Sequence, residues 1–406
     1  MLSAATWLVC PGAAQTPSPD AAPTSHLEPK AAAEAAGPAT PGSGVVQAGC
    51  SGCSGTRGAP GPILGPCGVG CVPGRTCVPS DCQQDSVCGR LIHGLHDCVC
   101  CPDPCYDPHW LPLADAAFFV DAARPQTQMR LRWDSGFDLK QPDRAEYFWA
   151  RERVNQLEPN GPCTKHGFGK GPACIPRSLD YEDLSLYMEG ASGAFGAFIE
   201  VPYSEIEPES SAISPNPCCN KSGFRDMTVG TKSLLLDCEL VQIGFQFKTF
   251  IPTGDFTNGL GTAHVSLEPS ILFALKLTNE SYVQGQLAYW IPIGGDDLYQ
   301  GNIFHMHYSY NRLLWCPMHD VQLVGTVEMN EWSILGGNYT NPDFLVTAGG
   351  RTGPVPVSAV TSMFSIGPGA RLFICDKIDV GVGSAFAVTG THWAEELVRA
   401  EFRWRF

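Results

Sequence analysis

The sequence predicts an all-β protein, an antiparallel transmembrane β-barrel of about 12 strands (14 in an alternative count), preceded by a disordered linker and a Cys-rich segment. Three observations predict it. The last residues, Glu396 to Phe406, alternate an apolar set (Val398, Ala400, Phe402, Trp404, Phe406) with a charged set (Arg399, Glu401, Arg403, Arg405). Side chains alternate across a strand, so one face is aromatic and the other charged. The same period of two recurs in runs from about residue 129 onward. The gaps between these runs also alternate in length, as they do when one barrel rim carries short turns and the other long loops.

Composition sets the bounds. The chain has 406 residues, 44% of them hydrophobic, with a formal net charge of −15 and 19 cysteines. No uninterrupted apolar run approaches the ~18 residues of a membrane helix. The acidic balance argues against nucleic acid as a partner, since no basic stripe is present to neutralise phosphates. So many cysteines point to an oxidising compartment. The apolar run Leu2 to Val9 and the small residues Gly12-Ala13-Ala14 suggest an atypical signal peptide over 1–14, lacking the usual basic start. Residues 15–49 are rich in Ala and Pro and read as a flexible linker.

Residues 50–110 hold Cys50, Cys53, Cys67, Cys71, Cys77, Cys82, Cys88, Cys98, Cys100, Cys101 and Cys105. Gly and Pro fill the gaps, so this segment buries little and needs staples. Disulfides are the preferred reading over zinc, which rests on Cys50-x-x-Cys53 with His93 and His96 nearby. Residues 111–143 are read as a connection or as extra strands, because 129–138 alternates and with a further partner around 117–123 makes fourteen strands, or else lies inside as a plug. The barrel is assigned to 144–406, with 144–152 as its first strand.

Within the barrel, Ile243, Phe245 and Phe247 alternate with Gly244, Gln246 and Lys248. Ile271, Phe273 and Leu275 alternate with Glu268, Ser270 and Lys276 on the other face, and Val283, Leu287 and Tyr289 with Gln284 and Gln286. Later runs place Arg371 opposite Ile366, Leu372 and Ile374. The inward set expected to line a watery lumen is therefore Lys248, Glu268, Lys276, Gln284, Gln286, Arg371, Arg399, Glu401 and Arg403. Short turns are expected at 191–193, 238–239, 278–280, 314–318 and 375–376. Long gaps fall at 153–182, 205–225, 253–263, 294–302 and 338–358, with 389–395 shorter. Cys238, Cys316 and Cys375 then share the short-turn rim, where one can pair with the odd cysteine of the N-terminal segment and at least two are expected to be small buried hydrophobes. Cys163 and Cys174 can close a loop disulfide.

Candidate chemistry is sparse. His305 and His307 share a strand face, but two imidazoles do not make a metal site, and no metal or other cofactor is expected. His307 and Ser309 have the spacing of a lipid-cleaving dyad, yet both point to the lumen while Tyr308 and Tyr310 face out, so no enzyme is expected. Asp255 and Asp297 lie in Gly-rich loops that turn chemistry explains more cheaply than calcium does.

The stretches Ser222 to Lys232 (SGFRDMTVGTK), Ile251 to Asp255 (IPTGD), Gly259 to Pro269 (GLGTAHVSLEP), Phe198 to Tyr203 and Val327 to Gly337 together resemble the outer-membrane barrels grouped as the meta-pathway phenol degradation-like transporter family. The resemblance covers about residues 183–406 and implies passage of small apolar or aromatic solutes. It carries over no catalytic residues. The Cys-rich segment departs from that family's compact pattern and suggests a planctomycete-type lineage. The expected role is thus a passive channel in the bacterial outer membrane, with lipid, the barrel-assembly machinery and a small solute as partners. Phe402, Trp404 and Phe406 are the expected assembly signal. The alternative is an adhesive barrel whose external loops bind a partner.

Overall fold

The computed structural model describes Gly94 and residues 112–150, 170–172, 176–210, 218–296, 299–318, 320–348, 351–358 and 361–406. The expected signal peptide, linker, Cys-rich segment and Cys163–Cys174 pair lie outside these residues.

Among the described residues fifteen strands follow in order: β1 (Gln128–Leu139), β2 (Pro176–Ser192), β3 (Phe195–Ser210), β4 (Lys221–Phe224), β5 (Met227–Asp237), β6 (Val241–Ile251), β7 (Val265–Thr278), β8 (Ser281–Ile293), β9 (Ile303–Met318), β10 (Val321–Ile334), β11 (Asn338–Ala348), β12 (Arg351–Ser358), β13 (Thr361–Ile374), β14 (Ile378–Ala387) and β15 (Glu396–Arg405). All but β4, β11 and β12 form one antiparallel ring of twelve. It closes because β1 pairs with β2 on one side and β15 on the other, while β2 also pairs with β3. The short β4 continues the β5 side of the ladder along Tyr203–Ile206 of β3. β11 and β12 make a separate hairpin between β10 and β13.

Closure leaves the ring of twelve without an open edge strand, which lipid would not tolerate. Side-chain alternation then sorts the two faces. Leu131, Trp133, Leu184, Leu186, Met188, Val380 and Val382 are exposed on the outside, while Arg130, Ser185, Glu189 and Asp379 from the same strands are buried inside. An apolar outer belt on a closed barrel is a surface for lipid, and this architecture belongs to bacterial outer membranes. Phe402, Trp404 and Phe406 face outward, with the rings of Trp404 and Phe406 at 4.6 Å.

Two expectations are corrected. The first strand is β1, not 144–152. Residues 128–139 carry the period of two and supply inward charges that pair with β15, Arg132 to Glu401 and Asp134 to Arg399. In 144–152 the aromatics Tyr147, Phe148 and Trp149 are consecutive, with no alternation to sort between two faces. That segment instead makes a 3-10 turn at Arg144–Glu146, with positive φ at Ala145 and Glu146. The second correction concerns the turn cysteines. Cys238 and Cys375 are disulfide-bonded, whereas Cys316 is an exposed free thiol near the Met318 carbonyl oxygen (3.3 Å).

The lumen is not the watery channel that its polar lining suggests. Residues 112–127 run through the interior before entering the wall as β1, and their backbone is hydrogen-bonded by wall side chains. Arg371 Nε donates to the Ala116 carbonyl (3.0 Å), Arg403 Nη2 to Ala117 (3.0 Å) and Arg399 Nη1 to Phe118 (2.6 Å). In return the Phe118 and Phe119 amides donate to the two oxygens of Glu328 (2.7 and 2.9 Å), and the Ala117 and Asp121 amides to Gln284 and Gln286 (both 3.0 Å). A buried backbone must find partners, and here the lumenal residues provide them.

The Phe118 ring is seated against three wall glycines. A Cβ on Gly369, Gly381 or Gly383 would lie 2.6–2.7 Å from that ring. At Gly383 all three nearest atoms belong to Phe118, so Gly383→Val strikes the plug and spares the wall. The variant should cost about 1–3 kcal/mol of overpacking yet still assemble, and planar-bilayer recording should show a larger conductance than wild type. Wild-type conductance from a correctly folded variant would show that Phe118 does not seal the floor.

Candidate lumenal chamber

After β1 the chain turns back over the barrel mouth, and residues 140–150 form a cap tied down at several points. Asp143 accepts from the Thr340 amide (3.2 Å) and hydroxyl (2.6 Å). Glu146 accepts from the Asp296 amide (3.1 Å) and lies 3.2 Å from His264 Nδ1. The Ala150 amide donates to Gly261 (2.8 Å), and the Arg225 guanidinium stacks 4.0 Å from the Phe148 ring while donating to its carbonyl (2.9 Å).

Between cap and plug lies a cavity of about 330 Å³. Its two ends differ in chemistry. Toward the cap, Tyr147 meets Trp393 edge-on at 4.8 Å, Trp290 at 5.4 Å and His305 at 5.5 Å, and Trp332 stands beside His305 and His307. Toward the plug, charged groups line the wall in pairs. Arg399 clamps Asp134 with two bonds (2.6 and 2.8 Å), Arg132 bridges Glu200 and Glu401 (3.3 and 3.0 Å), and Lys248 bridges Asp121 and Glu268 (2.9 and 3.4 Å). Paired charges present a polar surface without a large unbalanced field. Four buried side-chain atoms of lining residues have no hydrogen-bond partner among the described residues: His305 Nε2, Ser266 Oγ, Arg130 Nε and Arg225 Nε.

Of the residues singled out from the sequence, Lys248, Glu268, Gln286 and Arg399 line this chamber. Gln284, Arg371, Glu401 and Arg403 are buried elsewhere in the lumen, against the plug. Lys276 lies apart, with Nζ 3.8 Å from Glu239 next to a short turn. His307 and Ser309 do not form a dyad: His307 Nδ1 is 2.9 Å from Asn330, and the Ser309 hydroxyl donates to Asn311 (2.6 Å). Asp255 accepts from Thr257 and Asn258 within its own turn, which lowers its pKa. The aromatic end was not foreseen. Tyr147, Trp290, Trp332 and Trp393 are far apart in sequence, and their β-propensity alone does not say that they converge.

A family model described as "Putative MetA-pathway of phenol degradation" matches residues 181–400. The chain belongs to this family. The family match runs from β2 to β15 and so spans most of the chamber wall, while the plug and cap precede it. No curated protein matches the chain. Among solved structures it is similar to the COG4313 outer membrane channel from Pseudomonas putida F1, with 10% identity and a TM-score of 0.44 over 73% of this chain and 100% of that one. It is also similar to the TodX monoaromatic hydrocarbon channel (9%, 0.32, 69% and 88%) and the Ralstonia pickettii toluene transporter TbuX (7%, 0.29, 70% and 90%).

Electrostatics make the cap pH-sensitive. Burial, assisted by Asp296 and Asp143, pushes the Glu146 carboxyl up to about 7, and burial holds His264 below its ordinary value. A carboxyl that keeps its proton to higher pH when folded favours the docked cap fully below its ordinary 4.5, and that contribution is lost as pH rises through about 7. Hydrogen exchange over 140–150 should therefore be faster at pH 8.5 than pH 6, beyond the intrinsic rate change. Glu146→Gln should erase most of that excess, and an unchanged excess would assign the pH dependence to another group.

Proposed function

We propose that the protein is an uptake channel of the outer membrane for small aromatic compounds bearing a polar substituent, with the chamber as its solute site. The observation that carries this reading is the chamber's two-ended chemistry. Stacking surfaces of Tyr147, Trp290, Trp332 and Trp393 suit a planar ring. The unpartnered His305 Nε2 and the ion-paired wall suit a hydroxyl or carboxylate on it. The volume is adequate, since an apolar protein cavity of about 150 Å³ already holds benzene and ligand pockets begin near 300 Å³. Membership in a family described by phenol degradation agrees with this substrate class.

Entry to the chamber requires the cap to yield and onward passage requires the plug to yield, and the cap is the weaker closure. It is held by ring contacts, backbone bonds and a carboxyl that titrates near neutrality, whereas several buried ion pairs hold the plug. Solute therefore enters from the long-loop side, past Tyr147 and Trp393. No enzymatic role is assigned, because His307 and Ser309 serve the interior network. The outward edge Phe402, Trp404 and Phe406 suits a terminal signal for barrel assembly.

Proteoliposomes test the reading. Labelled 4-hydroxybenzoate should enter faster than into protein-free vesicles, with inhibition by phenol and none by glucose. Trp332→Ala combined with Trp393→Ala should cut the specific rate about tenfold, roughly the loss of one ~1.4 kcal/mol stacking contribution. Entry no faster than into empty vesicles would defeat the proposal.

A further inference from the structure

At the long-loop rim the last residues of β1 meet the segment leading into β15, and three ligand-type side chains converge there. One ligand atom each from Asp138, His392 and Glu395 lies within 4.8 Å of the other two. Their convergence is built into the backbone. The Glu395 amide donates to the Phe137 carbonyl (3.0 Å) and the Lys140 amide to the Trp393 carbonyl (3.2 Å), so two bonds bracket Asp138. The β1–β2 ladder breaks register between Gly136 and Leu139, and Asp138 sits there with φ +50°. A bulge of this kind re-aims a side chain, and a non-glycine residue persists in the left-handed region only where its surroundings enforce it. The Asp138 amide is in turn held by Asp180 (2.8 Å).

The imidazole supplies a second, independent indication. His392 Nε2 is buried, lacks a hydrogen-bond partner among the described residues, and faces Asp138 Oδ2 at 3.8 Å. A buried ring nitrogen facing a carboxylate without a hydrogen bond to it is costly unless something else occupies the space between them. Among the described residues the ammonium of Lys140 lies 3.2 Å from Asp138 Oδ2, on a half-exposed side chain that can swing into solvent.

We propose that Asp138, His392 and Glu395 form a binding site for a divalent transition-metal ion, Zn²⁺ by its donor set. One imidazole and two carboxylates give three protein ligands, with water completing a tetrahedron. Bonds of about 2.1 Å hold tetrahedral ligands about 3.4 Å apart, so the side chains close by roughly an ångström on binding. The ion replaces the Lys140 ammonium on Asp138. Its effect is mechanical: it ties the β14–β15 connection to β1 beside Trp393, the residue that packs edge-on against Tyr147 of the cap. The metal thus fastens one wall of the chamber's aromatic end.

The test is calorimetric titration of Zn²⁺ into the full-length folded protein in detergent with its disulfides intact. Comparison with variants subtracts any zinc taken up elsewhere. Wild type should bind one equivalent more than His392→Ala. Asp138→Asn, which tolerates the left-handed backbone, should weaken that equivalent at least about tenfold. Lys140→Gln should tighten it by removing the competing cation, a change that a merely structural role for Lys140 would not produce. Identical isotherms for wild type and His392→Ala would overturn the site, and so would a Lys140→Gln isotherm no tighter than wild type.

Discussion

A narrow barrel lined with charge must neutralise that charge without bulk water, and this constraint organises the whole interior. The solution is a buried network on β13, β14 and β15 that reaches into the plug. Arg371 bridges Asp379 (2.5 Å) and Glu401 (2.7 Å), Arg403 joins Glu401 (2.8 Å) to Asp115 (2.9 Å), and Arg405 reaches Asp115 as well (2.9 Å). Burial alone would raise the Asp115 pKa, but Arg403 and Arg405 outweigh it and hold the carboxyl below its ordinary range. Removing one partner from such a network leaves an unpaired buried charge, at about 3–5 kcal/mol. The plug is therefore a member of the network rather than a passenger in the lumen.

The rest follows from how far that network extends. At the short-turn end, wall charges and plug carbonyls satisfy one another. Toward the middle the plug bends away into β1, and the paired charges of Arg399, Arg132 and Lys248 become cavity wall. At the long-loop end, aromatic rings replace ion pairs and the cap closes over them. The chamber exists because two inserted segments, one before β1 and one after it, fill the barrel from opposite ends without meeting. Their fastenings differ in strength, and that difference gives the channel a direction of opening.

How much of this the sequence showed depends on the kind of information involved. The wall was legible: the period of two in β6 to β8 and β13 to β15, and the alternation of gap lengths, follow from local geometry and give twelve strands. The identity of the first strand was not. Residues 129–138 alternate, but their partners are β2 and β15, the latter 259–275 positions away, and nothing local records that pairing. The plug was illegible for another reason. Its Ala-rich backbone carries no pattern, and its partners Gln284, Gln286, Arg371 and Arg403 looked like pore lining until the groups they serve were placed. The bonded state of Cys238 and Cys375 was hidden because turn cysteines that pack and turn cysteines that pair look alike in one sequence.

The central claim is that the enclosed space between cap and plug is where a solute rests. Crystals of the protein soaked with 4-bromophenol and measured at the bromine edge test it most directly. The account predicts an anomalous peak inside the barrel, among Tyr147, Trp332 and Trp393, with the phenolic oxygen near His305 Nε2. Anomalous density confined to the lipid-facing belt, with the chamber empty at saturating solute, would contradict it.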